Sequence, residues 1–180
     1  MLLSLALPII LSGIALFFAS FLSWMVLKLH KDDWKKFPHE EAVLTAVGAN
    51  AAPGNYMVPG CNHPSEMNSP EFQKKMEVGP RAILTVLPKV SMGQNLGLTI
   101  VYFLVVSFLI AYLASAGLPR GAEFVTVFRF VFTAGLLTFL SAIVAHSIWF
   151  RVRIVGHIIE SIAYAAIVGV IFALLWPKAL

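Results

Sequence analysis

Four long runs of apolar residues divide the chain, and its polar residues gather between them. A helix needs ~20 consecutive apolar residues to span a hydrocarbon core. The runs extend from Leu2 to Leu27, Leu96 to Ala116, Phe124 to Phe150 and Ile154 to Trp176. With their flanks they predict spans at residues 1–28, 96–116, 124–150 and 154–176, separated by one long polar loop at 29–95. The fold class expected is an all-α membrane protein, a four-transmembrane-helix bundle with a small ordered α/β-like cytoplasmic loop. The first run carries no lysine or arginine ahead of its apolar core, and that core is long for a signal peptide. A retained first helix is therefore expected. Spans two and three are separated by Gly117-Leu118-Pro119-Arg120-Gly121, a breaker-rich turn. Spans three and four have no Gly or Pro in Trp149-Phe150-Arg151-Val152-Arg153. A single helix from 124 to 176 would be about 80 Å long, more than twice the bilayer core, so a tight hairpin is expected.

The loop alternates helical and extended signals. His39 to Val47 reads as a short helix with acids in its first turn and Gly48 near its end. Ser69-Pro70-Glu71 is a helix start: an N-cap serine, a proline at N1 and an acid facing the helix dipole. That helix should run to about Glu77 and stop at Gly79-Pro80. Each helix precedes an extended run, Asn55 to Val58 and Ala82 to Leu87, and the two runs can pair as a small sheet.

Composition agrees with lipid as the solvent. The chain is 59% hydrophobic and 12% charged, against ~45–50% and ~25% for soluble domains. The net charge of +4 suggests nucleic acid at first sight, but the basic residues form no long run. They flank the apolar runs instead, where they set orientation. Lys28, Lys31, Lys35, Lys36, Arg81, Lys89, Arg151 and Arg153 fall on one side, and Arg120, Arg129 and Lys178 on the other. The first set should be cytoplasmic, which turns both termini outward. Trp24 and Trp149 then mark the inner interface and Trp176 the outer one. Cys61 is the single cysteine, so no intramolecular disulfide is available.

Polar residues at membrane depth are the candidate chemistry. His146 and His157 lie about equally far from the turn between spans three and four, and Glu160 and Tyr164 share the helical face of His157. Asn95, Thr99 and Tyr102 enter from the same side on span two. Ionisable groups in a span are costly and face a bundle interior. Three roles fit this cluster: hydrogen bonds that fix helix register, a proton or ion relay centred on Glu160, and haem or metal ligation by His146 and His157. A carboxylate-bridged di-metal site needs about four glutamates, and the spans contain only Glu160.

Span four also carries Ser161, Ala165, Gly169 and Ala173 at i+4 spacing, and span one carries Ser4, Ser12, Ala15, Ala19 and Ser23. Small residues let helices approach closely, within the bundle or against a partner. Cys61-Asn62-His63, with His30 or His39, lacks the paired spacing of a structural zinc site. Gly117-x-x-x-Gly121 lacks the Lys-Ser/Thr of a P-loop, and neither a Gly-x-Ser-x-Gly elbow nor a His-Glu-x-x-His pair occurs. No cofactor and no metal are assigned on these grounds.

The stretches His30-Lys31-Asp32-Asp33-Trp34-Lys35-Lys36-Phe37-Pro38 and Gly54-Asn55-Tyr56-Met57-Val58-Pro59 resemble a group of small uncharacterised bacterial multi-pass inner-membrane proteins. Gly79-Pro80, Met92-Gly93-Gln94-Asn95-Leu96, Ser147-Ile148-Trp149-Phe150 and Trp176-Pro177 resemble the same group, so the likeness covers most of the chain from residue 30. Its members continue the Trp-Phe turn with Gly and then Pro-Trp, where this chain has Arg151-Val152-Arg153. The resemblance implies a bacterial inner membrane and no particular activity. The expectation is a non-enzymatic protein of that membrane, an accessory or structural subunit of a complex or a small homo-oligomer, with lipid and no nucleic acid among its partners. The alternatives are a small transporter or proton-conducting protein built on Glu160, and a haem- or metal-binding redox subunit.

Overall fold

The computed structural model describes residues 1–48 and 51–179. The chain forms two compact units, one of Met1–Lys35 with Met92–Leu180 and the other of Lys36–Ser91.

Among the described residues, the larger unit holds four helices long and apolar enough to cross a membrane. They are α1 (Leu2–Val26), α4 (Met92–Gly117), α5 (Phe124–Phe150) and α6 (Val155–Leu174); the short helices α2 (Glu40–Gly48) and α3 (Pro70–Val78) belong to the other unit. This is the multi-pass architecture that the apolar runs predict. α1 opens in a 3-10 turn at Leu2–Leu5 and closes in a π turn at Leu22–Val26. It packs against both α4 and α6, and α6 packs along α5. α5 also touches α4 beside the turn that joins them, where Gly117 lies under the Phe130 ring.

Lipid is as apolar as leucine, so close fit rather than hydrophobic burial holds such helices together. The α5–α6 hairpin shows how. A Cβ added at Gly135 would stand 3.0 Å from Ala165, and one at Gly169 would stand 2.9 Å from the Phe128 ring. Ser161 Oγ, buried between the helices, shares its one proton between the carbonyl of His157 at 2.7 Å and that of Phe139 at 3.2 Å. Ser161, Ala165, Gly169 and Ala173 are all buried. On α1, Ser12 and Ser23 are buried, Ala15 and Ala19 are half-buried, and Ser4 is exposed.

The turn of α5 into α6 has no glycine, and Arg151 takes the left-handed conformation at φ +53°. Its N–H closes the helix on the carbonyl of Ser147 at 3.0 Å. At the opposite end, Trp176 Nε1 donates to the carbonyl of Pro119 at 2.9 Å, and the Gly121 N–H donates to that of Pro177 at 2.8 Å. These bonds fasten the end of α6 to the α4–α5 turn.

The smaller unit contains α2 (Glu40–Gly48), β1 (Gly54–Val58), a 3-10 turn (Pro64–Asn68), α3 (Pro70–Val78) and β2 (Ala82–Val86). β1 and β2 pair antiparallel, with Tyr56 opposite Leu84, and Thr85 Oγ1 donates to Asn55 Oδ1 across the pair. Ser69 caps α3 by accepting from the Phe72 N–H at 3.2 Å. Glu71 and Lys75 pair at 2.7 Å one turn apart, which holds the Glu71 carboxyl below its ordinary value.

Candidate functional site

The cluster forms where α1 ends and α6 begins. Lys28 adopts the left-handed conformation at φ +52°, and the Leu29 N–H turns back onto the carbonyl of Ser23 at 3.1 Å. This is a Schellman-type ending widened by the π turn. Two tight turns follow, with Lys31 N–H on the carbonyl of Lys28 and Asp33 N–H on that of His30. The effect is to fold residues 29–33 back so that His30 enters the bundle, where it is 3% exposed. Its ring stacks on Trp24, with centroids 4.0 Å apart and planes at 14°.

Gly156, in the first turn of α6, makes room for this ring. A Cβ there would stand 2.9 Å from His30 Cε1 and 3.1 Å from the carbonyl oxygen of Leu29. Any other residue would have to push the imidazole out of its seat.

Five side chains then meet. His30 Nδ1 donates to Asp33 Oδ2 at 2.6 Å. On the other side of the ring, Nε2 lies 3.1 Å from Glu160 Oε2, yet this buried nitrogen makes no well-directed hydrogen bond. The contact is close but out of line with the ring N–H. Tyr164 Oη donates to the second carboxylate oxygen, Oε1, at 2.9 Å. The half-buried His157 stands with Nδ1 4.0 Å from Glu160 Oε2 and Nε2 4.0 Å from Asp33 Oδ2. The His30 and His157 rings are 4.6 Å apart. Arg153, outside the cluster, pairs with Asp32 at 2.9 Å and approaches Asp33 Oδ1 at 3.9 Å. Tyr164 is in turn walled by the edges of Phe103 and Phe139.

The structure therefore brings together His157, Glu160 and Tyr164 from the expected set and leaves the other four out. His146 is exposed and lies against Phe150. The reason is register. Gly135 faces Ala165 and Phe139 faces Ser161. That alignment puts Ile143 opposite His157 and His146 three residues, about 4.5 Å, further along. The hairpin is not symmetric about its turn, so His146 lies off the level of His157 and outside the cluster. Asn95 and Tyr102 are exposed and Thr99 is bonded to its own helix at the Asn95 carbonyl. The buried stripe of α4 is Phe103, Val106, Ser107, Ile110, Ala111 and Ala114, and Tyr102 lies beside it, half exposed and without a hydrogen bond to Tyr164.

His30, Asp33 and Gly156 are the members that sequence pattern alone does not place. The i,i+3 spacing of His30 and Asp33 was the available signal, but their partner Glu160 is 130 residues from His30. Comparison with protein-family models, with curated proteins and with solved structures finds no match to this chain.

Proposed function

We propose that this protein is a non-enzymatic subunit of a bacterial inner membrane, an accessory or structural component that assembles with a partner or with copies of itself. The observation that supports it best is the use made of the buried polar groups. His30, Asp33, Glu160 and Tyr164 engage one another and clamp the end of α1 to the start of α6. Such a clamp fixes which helices meet and in what register. Outside it, α4 and α5 present apolar side chains such as Leu98, Val105, Leu109, Leu137 and Ile148, which suit contact with lipid or with another span.

The test is purification from a native membrane in mild detergent, followed by mass measurement of the intact particle. A defined oligomer or a stoichiometric co-purifying membrane protein is expected. A strict monomer with no partner would overturn the subunit reading.

A further inference from the structure

We propose that His30, His157 and Glu160 form a binding site for one divalent transition-metal ion of the zinc class. This goes beyond the subunit reading and does not depend on it, because it rests only on how the cluster is built. One ligand atom from each of the three residues lies within 4.8 Å of the other two. Tetrahedral bonds of 2.0–2.1 Å require ligand atoms about 3.3 Å apart. His30 Nε2 and Glu160 Oε2 already stand at 3.1 Å. His157 Nδ1 stands 4.0 Å from the same oxygen, and the three ligand atoms lie within 4.8 Å of one another, so binding would draw the His157 ring inward by roughly 0.7–1.5 Å.

Three further features separate this arrangement from a chance meeting of polar groups. The first is orientation. Metal-bound histidines donate their second ring N–H to a carboxylate, and bound carboxylates are themselves hydrogen-bonded. Here Asp33 takes the His30 Nδ1 proton, and Tyr164 Oη holds Glu160 Oε1. His157 Nε2 faces Asp33 Oδ2 at 4.0 Å. Two of the three ligand residues, His30 and Glu160, thus have a hydrogen-bonded outer partner, and His157 faces Asp33 beyond hydrogen-bond distance.

The second is the buried Nε2 of His30, which lies 3.1 Å from Glu160 Oε2 without a well-directed hydrogen bond. A neutral ring with Nδ1 protonated leaves a lone pair on Nε2, which is what a metal takes.

The third is charge. Two carboxylates, Asp33 and Glu160, stand against the two imidazoles, and a divalent ion would offset the negative charge they bring. Two imidazole nitrogens and one carboxylate oxygen suit zinc and its first-row neighbours rather than calcium or magnesium. A fourth position is left for water.

The test uses the whole protein in detergent, stripped with chelator and titrated with zinc chloride and, separately, cobalt chloride. One equivalent of zinc should bind, with a rise in melting temperature. Cobalt should give the visible bands of a four-coordinate nitrogen–oxygen site in the wild-type protein, a readout that needs no variant to fold. His157→Ala, at a partly exposed position, should raise the zinc Kd more than ~100-fold. Tyr164→Phe and Asp33→Asn should raise it ~10–100-fold, and His146→Ala should leave it unchanged. Absence of stoichiometric zinc in the wild type would overturn the proposal. So would a thiolate-to-cobalt charge-transfer band, which would assign the ion to Cys61, or undiminished binding in a folded His157→Ala protein.

Discussion

Glu160 is 8% exposed, and both its oxygens have neighbours, so its substitutions separate structural from chemical roles. In the metal-stripped protein Glu160→Gln should be mild, because an amide still accepts from Tyr164 and meets a neutral His30. Glu160→Leu strands the Tyr164 hydroxyl and should cost of order 1–3 kcal/mol. Thermal melting of both variants in detergent checks the ranking. A Glu160→Gln protein that melts as early as the leucine variant would mean that His30 is charged and has lost its counter-ion. Proton flux in reconstituted liposomes is the companion measurement. None is expected, and a wild-type flux that vanished in a stable Glu160→Gln protein would move this chain to the proton-conducting class.

At the scale of elements, the α5–α6 hairpin depends on small residues at the contact and on an unusual residue in the turn. Gly169→Leu must displace the Phe128 ring and should destabilise by about 1–3 kcal/mol. Val170→Leu, one residue on and 40% exposed, should be close to neutral. Equal melting of these two variants would mean that the helices do not meet at Gly169. Arg151 holds a left-handed conformation that L side chains resist and glycine adopts freely. Arg151→Gly should therefore stabilise the hairpin by about 0.5–1 kcal/mol. A fall in melting temperature would show that the arginine side chain contributes more than its backbone costs.

For the whole molecule, the distribution of lysine and arginine predicts a cytoplasmic 29–95 segment and termini that face outward. Cys61, the single thiol, reports this directly. A membrane-impermeant maleimide should leave it unlabelled in intact spheroplasts and label it once the membrane is opened. Labelling before permeabilisation would invert the topology. The same orientation would present His157 to the cytoplasm, where an ion could reach the cluster.

What the sequence determined by itself was everything that depends on local pattern. Span length, the Gly-Pro turn before α5, the Ser69 cap and the small-residue stripe of α6 are each written within a few neighbouring residues. The tertiary structure alone decided which faces meet. A helix in lipid is apolar all round, so no contrast between wet and dry sides marks the inward face, and Tyr102 reads as inward as readily as Phe103. Symmetry about a turn is also a poor guide, because the offset of α5 against α6 is set by Gly135 on Ala165 and by Gly169 beneath Phe128. That offset removes His146 from the cluster. His30 joins it because a left-handed Lys28 reverses the chain and Gly156 leaves a space for the ring. Contacts between residues so distant in the chain leave no periodicity to read.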